Sequence, residues 1–209
     1  MSDGPSDGIP VLIFTRAPVP GKVKTRLIPA IGAERAVNLH RAMLWRSVVT
    51  AVDSGVGPVE LWCTPDTAHP FFADLERQFG LGLYMQSGED LGERMHRALQ
   101  SRLDDAGWAL LVGTDCPFLE AGDLRTAADV LREGADAVIG PAEDGGYYLI
   151  GVRQSVAEIY AGVPWGSHQV LARSRENLRD LGWSWHELVP RRDVDRPEDL
   201  PGINDLLVY

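Results

Sequence analysis

Cysteine and long apolar segments are both scarce in this sequence. Its 209 residues include two cysteines, Cys63 and Cys116, whose spacing fits neither a CxxC motif nor a paired zinc site. A reducing cytoplasm is the simplest setting for such a chain. No apolar stretch approaches the length of a membrane span. The polar residues 1–8 lack an apolar core, which predicts a disordered tail and not a signal peptide.

Positive charge is scarce as well. The chain has 20 Lys and Arg residues against 30 Asp and Glu residues, giving a formal net charge of −10 and a pI of about 4.9. Nucleic acid and anionic membranes would be repelled, so neither is an expected partner. The Gly-x-x-x-x-Gly-Lys-Ser/Thr spacing of a P-loop is absent, and no Gly-x-Gly-x-x-Gly follows the first predicted strand. These absences exclude P-loop NTPases and dinucleotide-binding proteins of that type.

The only two lysines of the chain, Lys22 and Lys24, lie in one loop, residues 16–26. This loop carries four cations and no carboxylate, whereas all other basic positions of the chain are arginine. An ammonium is a compact point charge and a guanidinium is a planar fork, so a packed phosphate site can require the ammonium. The composition therefore predicts an anion-binding loop. The alternative is an ordinary solvated basic turn.

The backbone of this loop is predicted to be extended and then sharply turned. Pro18 and Pro20 disfavour a helix, and Pro20 with Gly21 suits the centre of a type II turn. Side chains alternate along an extended chain, so residues with even numbers would share one side. The four cations are Arg16, Lys22, Lys24 and Arg26. We therefore expect them to converge on one ligand, with Lys24 exposed and contributing little to packing.

Short apolar runs alternate with longer amphipathic segments along the chain. Predicted strands cover residues 11–15, 59–64, 83–86, 108–112, 137–139 and 184–189, and predicted helices cover residues 33–52, 70–79, 91–103, 123–132 and 168–181. Strands separated by helices favour right-handed crossovers and a mainly parallel sheet with both faces covered. After residue 140 the rhythm changes, which suggests a small antiparallel insertion. The length fits a single α/β domain over residues 9–209.

Charged loops follow several predicted strands. In open α/β sheets ligands bind outside the carboxyl ends of the strands, so we expect the basic loop and residues 113–117 and 193–195 to meet on one rim. Asp115 directly follows a buried strand and could bind Mg²⁺ or Mn²⁺ together with Asp193 or Asp195. The alternative for Asp115 is an Asx turn or helix cap, and for Asp193 and Asp195 it is a helix start.

Six motifs resemble, in the same order, those of the bacterial GT-A-like transferases often labelled radical-SAM/selenodomain-associated transferases. They are FTRAPVPGKVKTRL (14–27), DLGERM (90–95), GTDCP (113–117), GPAEDGGYYLIG (140–151), WGS (165–167) and DVDRPEDL (193–200). The resemblance spans residues 11–200. One departure is Arg196, where the relatives usually have Thr before the proline, and it adds a cation beside the proposed metal carboxylates.

The resemblance implies a single-domain Rossmann-like fold of the GT-A, or nucleotide-diphospho-sugar transferase, type. Glycosyltransferases share this fold with small-molecule nucleotidyltransferases such as the molybdenum-cofactor and 2-phospholactate enzymes. By resemblance, Asp115 is the metal aspartate and the turn with Asp193 and Asp195 supplies its partner. The residues assigned to the nucleotide are Arg16, Gly21, Lys22, Lys24, Arg26, Arg94 and Thr114. For Arg94, a solvent-facing side chain is the alternative.

Three functions remain as hypotheses. In the first, a metal-dependent glycosyltransferase moves a sugar from an NDP-sugar to a small acceptor. The metal and loop cations such as Lys24 stabilise the departing diphosphate, and Asp144 acts as the base if the reaction inverts. For Asp144, a turn residue before two glycines is the alternative. The second hypothesis is a nucleotidyltransferase that joins an NTP to a phosphorylated small molecule and releases pyrophosphate. The third is a non-catalytic nucleotide-sugar sensor. The residues leave the base, the sugar, the acceptor and the oligomeric state open.

Overall fold

A computed structural model of the chain describes residues 8–203, so the predicted tail lies outside the described residues except for Gly8. Within this range one sheet contains strands β1 (Val11–Arg16), β2 (Val59–Thr64), β3 (Gly82–Met85), β4 (Ala109–Gly113), β5 (Ala137–Pro141), β6 (Tyr147–Val152) and β7 (Trp185–Glu187). The helices are α1 (Ile28–Ile31), α2 (Ala33–Ser54), α3 (Pro70–Phe79), α4 (Leu91–Ala106), α5 (Ala121–Arg132) and α6 (Val170–Asp180). Short 3-10 segments cover Thr25–Leu27, Ala157–Tyr160 and Pro197–Asp199.

The strand order across the sheet is β3-β2-β1-β4-β6-β5-β7. Strand β1 pairs in parallel with β2 and β4, and β3 and β7 extend the sheet in parallel at its two ends. Only β6, among the described strands, runs antiparallel to its neighbours β4 and β5. The turn from β5 into β6 is short enough for a hairpin, whereas the parallel strands are joined by helical crossovers. The predicted mainly parallel sheet with an antiparallel insertion after residue 140 is confirmed.

Helices cover both faces of the sheet. Along β1, Val11 and Ile13 pack into the layer formed with α2, α3 and α5, while Leu12 and Phe14 pack into the opposite layer formed with α4 and α6. Val11, Leu12 and Ile13 have no exposed surface. Each such buried side chain contributes about 1.5–3 kcal/mol to the free energy of unfolding. This double-sided core fixes the strand ends that hold the candidate site.

None of the helices within residues 8–203 combines the length and the apolar character that crossing a membrane requires.

Candidate functional site

A cleft of about 580 Å³ opens at the carboxyl ends of the parallel strands. Its lining includes Arg16 at the end of β1, Thr64 at the end of β2 and Gln86 just after β3. Thr114 and Asp115 enter it directly after β4. This is the position in which open α/β sheets bind their ligands.

The basic loop turns as its sequence predicted. The amide of Lys22 donates to the carbonyl of Val19 at 3.0 Å, and Gly21 has φ of 77°. A positive φ at the second central position is what a type II turn requires, and glycine adopts it without steric cost. Gly21 therefore shapes the turn and is not among the residues lining the cleft. The four loop cations line the same cleft, and their contact with one ligand stays a prediction; they are Arg16, Lys22, Lys24 and Arg26.

Lys24 is buried, and the prediction that it is exposed was wrong. The residue is only 7% exposed, with φ of 47° and ψ of 40°. This left-handed conformation interrupts the alternation of an extended chain and turns the side chain inward. Its Nζ donates to Oδ1 of Asp115 and to the carbonyl oxygen of Val194, each at 2.6 Å. Oδ1 of Asp195 lies 3.9 Å from the same nitrogen.

Asp115 lies at the floor of the cleft, and its side chain is 57% exposed to the cleft. Enclosure by the protein alone would raise the pKa of Asp115, but the charge and hydrogen bond of Lys24 outweigh it and hold that pKa below its usual value. Within the described residues the Asp115 carboxylate accepts its hydrogen bond from Lys24 and from no backbone amide. This arrangement argues against the Asx-turn alternative.

The segment with Asp193 and Asp195 meets the other two loops on the predicted rim. The amide of Val194 donates to the backbone carbonyl of Asp115 at 2.8 Å, and Arg26 forms an ion pair with Asp195. The carboxylate that caps the following 3-10 segment belongs to Asp199, which accepts from two successive backbone amides at 3.0 and 2.7 Å. The helix-start role is thus filled by Asp199, which leaves Asp193 and Asp195 for other contacts.

A second pocket of about 300 Å³ adjoins the cleft and shares Asp115 with it. The rings of Tyr147 and Trp165 form part of its wall, with their centroids 6.3 Å apart in an edge-to-face arrangement. Asp144 and Asp193 supply carboxylates to the same pocket. The pocket therefore combines aromatic surface with acidic groups, directly beside the cation-rich cleft.

The hairpin turn between β5 and β6 positions Asp144 in this second pocket. Oδ1 of Asp144 accepts from the amide of Gly146 at 2.7 Å, as the turn alternative predicted. Gly145 has φ of 89°, and a Cβ there would lie 2.2 Å from the carbonyl oxygen of His168. Only glycine permits this close approach, so the turn packs directly against His168, shortly before α6. The second carboxylate oxygen of Asp144 has no hydrogen-bond partner among the residues described.

The two cavities carry opposite charge patterns. The cleft has five cations facing four carboxylates, and the cations are Arg16, Lys22, Lys24, Arg26 and Arg94. The second pocket has one cation, Arg26, and four aspartates, which are Asp115, Asp144, Asp193 and Asp195. Burial raises the pKa of Asp193 to about 6, and repulsion from Asp144 and other nearby carboxylates adds to the increase. The junction of the two cavities is thus electrostatically suited to a cation.

These carboxylates fit a hard divalent cation of the Mg²⁺ or Mn²⁺ type. Asp115 and the segment with Asp193 and Asp195 offer oxygen ligands at the open junction. Among the side chains that the structure describes, no cluster of three or more His, Cys, Asp or Glu residues suited to a metal is found. Magnesium at nucleotide sites is held by one or two carboxylates and completed by phosphate oxygens and water, so Asp115 with one further aspartate would suffice.

Two polar residues of the cleft were not singled out from the sequence. Nε2 of His40 donates to the carbonyl oxygen of Arg16 at 3.0 Å, and burial lowers the pKa of His40, which favours the neutral ring. The Gln86 amide donates to the carbonyls of Thr15 and Trp62 at 3.2 and 2.7 Å and so joins the ends of β1 and β2. Gln86 could have been identified as the polar residue that ends a predicted strand, whereas nothing in the helical sequence distinguished His40.

The remaining candidates are placed as follows. Arg94 lines the cleft from the first turn of α4, and its Nε donates to the carbonyl of Gly88 at 3.0 Å. Thr114 is buried at the cleft wall. Cys116 is buried, and this burial raises the pKa of its thiol to about 12, which favours the neutral thiol over the nucleophilic thiolate.

Comparisons with known proteins agree with this fold. Residues 47–167 match the model of a family described as "Uncharacterized protein conserved in bacteria (DUF2064)". No curated protein matches the sequence. The chain is similar to a protein from Desulfovibrio desulfuricans G20, provisionally a nucleotide-diphospho-sugar transferase, whose crystal structure superposes with a TM-score of 0.83 at 32% identity. That alignment covers 91% of this chain and 84% of the other.

Two more distant structures share the fold. Glucosyl-3-phosphoglycerate synthase from Mycobacterium tuberculosis, in complex with Mn²⁺, UDP and glucosyl-3-phosphoglycerate, has a TM-score of 0.56 at 11% identity, covering 92% of this chain and 74% of that one. The 4-diphosphocytidyl-2C-methyl-D-erythritol synthase from Anaerococcus prevotii DSM 20548 has a TM-score of 0.61 at 11% identity, covering 97% and 99%. The chain thus has the fold common to nucleotide-diphospho-sugar transferases and nucleotidyltransferases.

Proposed function

The chain belongs to the DUF2064 family of bacterial proteins, and we propose that it is a metal-dependent transferase that moves a sugar from a nucleotide-diphospho-sugar to a small acceptor. The observation that carries this proposal is the convergence of the loop cations and Asp115 in one cleft, at the carboxyl ends of the parallel strands. The adjoining pocket that shares Asp115 gives an acceptor a place beside the donor.

The donor diphosphate would lie in the cation-rich cleft. Arg16 and Lys22 are exposed there and form no ion pair within the described residues, so both are open to phosphate oxygens. Arg26 and Arg94 line the same cleft, and Arg26 also pairs with Asp195. Hydrogen bonds between cations and phosphate are about twice as strong as neutral ones. These side chains would hold the departing diphosphate as its charge develops.

Asp115, together with Asp193 or Asp195, would hold Mg²⁺ or Mn²⁺ at the junction of the two cavities. A divalent cation bound there supplies charge stabilisation to the leaving diphosphate. The glucosyl-3-phosphoglycerate synthase that shares the fold is a complex with Mn²⁺ and UDP, which supports a cation of this kind. Lys24 was also assigned to the phosphates from the sequence, but its ammonium is engaged by Asp115 and the carbonyl of Val194.

Asp144 would act as the general base of an inverting transfer. Its Oδ1 is held by the amide of Gly146, which orients the carboxylate within the acceptor pocket. Its second oxygen would take the proton from the acceptor hydroxyl as that hydroxyl attacks the sugar. The turn role and the base role thus use different oxygens of one carboxylate.

The charge of the second pocket favours a hydroxyl acceptor over a phosphorylated one. Four aspartates and one arginine line that pocket, so an acceptor phosphate would be repelled. Nucleotidyl transfer onto a phosphate is therefore the second candidate, supported by the cation-rich cleft and by the shared fold with the Anaerococcus prevotii enzyme.

Both cysteines are free and buried, which fits the cytoplasm, where we place the reaction.

Thermal unfolding with a panel of NTPs, NDPs and NDP-sugars, each with Mn²⁺ and with EDTA, tests the proposal. A ligand at about 100 times its dissociation constant stabilises the fold by about 2.7 kcal/mol. Product analysis then separates the reactions, because sugar transfer releases a nucleoside diphosphate and nucleotidyl transfer releases pyrophosphate. If no nucleotide raises the melting temperature, the proposal fails. Binding without turnover across a broad acceptor screen would instead indicate a nucleotide-sugar sensor.

A further inference from the structure

Lys24 is the only buried lysine or arginine among the described residues. We propose that it is a positioning residue that locks Asp115 and the chain around Val194 onto the basic loop, and not a ligand of the donor phosphates. This inference rests on the proposed function only in treating Asp115 as a metal ligand. It gives the two lysines of the chain different tasks.

The ammonium of Lys24 is already satisfied by the protein. Of its three donors, two reach Oδ1 of Asp115 and the carbonyl oxygen of Val194 at 2.6 Å. The Lys24 side chain is only 2% exposed, whereas that of Asp115 is 57% exposed. A phosphate oxygen in the cleft therefore finds the carboxylate accessible and the ammonium covered. Direct phosphate contact would have to use the third donor of Lys24, which is covered together with the rest of the side chain.

These contacts tie together three segments that are distant in the sequence. Lys24 is separated by 91 positions from Asp115 and by 170 positions from Val194. The hydrogen bond from the Val194 amide to the Asp115 carbonyl, 2.8 Å long, closes the connection. Because Lys24 binds Oδ1, it restricts rotation of the carboxylate and leaves Oδ2 for a ligand in the cleft. Lys24 would thus fix the metal carboxylate before any metal or donor binds.

The backbone of Lys24 supports the same conclusion. Among the described residues it is the only non-glycine residue with positive φ, at 47°. A left-handed conformation is unfavourable for a residue with a Cβ and persists where surrounding contacts determine it. The buried ammonium with its two short hydrogen bonds provides those contacts. A side chain that merely reached out to phosphate would not require this conformation.

Lys22 provides a matched control in the same loop. It is exposed, lines the same cleft and forms no ion pair within residues 8–203. Lys24→Met and Lys22→Met each remove one ammonium and keep a long apolar chain. Measurements on both variants without nucleotide distinguish a lysine that holds Asp115 in place from a lysine that binds phosphate.

We expect Lys24→Met to lower the melting temperature by roughly 3–8 °C, because it removes the hydrogen bonds of the ammonium to Asp115 and to the Val194 carbonyl, while the Asp115 carboxylate stays partly solvated. Mn²⁺ affinity, followed by electron paramagnetic resonance without nucleotide, should fall by about 10- to 100-fold, as for other groups that orient a metal ligand. Lys22→Met should keep both properties and lose UDP affinity. Unchanged or tighter Mn²⁺ binding by Lys24→Met would overturn the proposal.

A second measurement on the wild type holds even if Lys24→Met does not fold. Because the chain has only two lysines, lysine labelled with ¹⁵N at Nζ gives one ammonium signal from each. The Lys24 signal should exchange slowly with solvent and stay unchanged when pyrophosphate is added without metal, while the Lys22 signal shifts. A pyrophosphate-induced shift of Lys24 alone would overturn the proposal. Two unmoved signals with a slowly exchanging Lys24 would support it and count against the proposed function.

Discussion

The two cavities of the site lie side by side but are built from different parts of the sheet and carry different charge. The cation-rich cleft lies at the ends of β1, β2 and β4, which run parallel. The second pocket includes the start of the antiparallel strand β6, where Tyr147 stands, and the hairpin turn with Asp144. The basic loop therefore supplies four of the five cations of the first cavity, and the insertion after residue 140 supplies much of the second.

Under the proposed function, this difference would let an acidic protein hold an anionic donor and a hydroxyl acceptor within one site. The net charge of the chain is −10, but a Debye length of about 8 Å at physiological salt screens distant carboxylates from a ligand in the cleft. Under the same proposal, local charge would determine which substrate each cavity accepts. Asp115 and Arg26 line both cavities and so mark their junction. Substitutions on either side of this junction should affect different kinetic constants.

The largest effect should come from Asp144→Asn, which changes the acceptor side alone. We expect kcat to fall by about 100- to 10,000-fold, because a positioned base is lost. Asn keeps an oxygen that can accept from the Gly146 amide, so the turn and the donor affinity should survive. Steady-state kinetics together with UDP titration measure both properties. A variant with normal kcat would remove Asp144 from the chemistry and leave it only its turn role.

Asp115→Asn should affect both cavities at once, since Asp115 lies at their junction. We expect turnover to fall by about 100- to 1,000-fold, as when one group stabilising a developing charge is removed. The gain in donor affinity on adding Mn²⁺ should largely vanish, while binding through Arg16 and Lys22 persists. Asn can still accept from Lys24 but without charge, so a melting temperature lower by a few degrees is expected.

The measurement is donor titration of the wild type and of Asp115→Asn, each with Mn²⁺ and with EDTA. Calorimetry gives the affinity, and a scan without ligand gives the melting temperature. An equal response of both proteins to Mn²⁺ would show that Asp115 does not bind the metal. The difference between the two cavities would then have to be explained without a shared cation.

The parallel part of the sheet was predictable from local signals. Strand β2 and helix α3 have the predicted bounds, Val59–Thr64 and Pro70–Phe79. A continuous apolar run marks a strand buried on both faces, and Pro70 at the first helical position marks the helix start. Strand β3 is displaced by only one residue from the prediction, and Gln86, expected in the strand, bonds to the ends of β1 and β2 instead. Such boundary errors arise because pairing determines where a strand ends.

The antiparallel part was predicted less completely. The change of pattern after residue 140 indicated a turn and a strand, and residues 147–152 form it. Its insertion between β4 and β5 depends on pairings such as Leu111 with Ile150, which no local pattern specifies. Gly140 shows the same limit, since a Cβ there would lie 2.4 Å from the ring of Tyr148. The sequence shows that residue 140 is glycine, but only the folded sheet shows that the ring of Tyr148 lies against it.

Within the site, the meeting of the charged loops was predictable from the sequence, but the ion pair between Lys24 and Asp115 was not. Loops that follow parallel strands share one edge, so the meeting of the basic loop with Asp115 and Asp195 follows from topology. The ion pair of Lys24 with Asp115 requires a left-handed conformation at Lys24, which general preferences disfavour. It also joins residues 91 positions apart. For this reason the sequence indicated two separate ligands where the structure has one bonded pair.

The smallest effect should come from the aromatic wall of the second pocket. Trp165→Phe keeps a ring beside Tyr147 but removes part of the surface that an acceptor would contact. Aromatic contacts contribute about 0.5–1.5 kcal/mol beyond their buried area, so the KM of the acceptor should rise by about 2- to 12-fold. Donor affinity and kcat at saturating acceptor should stay within about 2-fold, because the cation-rich cleft is untouched.

Trp45→Phe is the matched control for this change. Trp45 packs edge-on against Phe79 with ring centroids 5.1 Å apart and lines neither cavity of the site. It should leave both substrate constants unchanged, so any general effect of removing an indole appears in this variant alone. If Trp165→Phe weakened donor binding and left the acceptor KM unchanged, the aromatic wall would belong to the donor. The two cavities would then form one donor site, and the acceptor would have to approach from outside the second pocket.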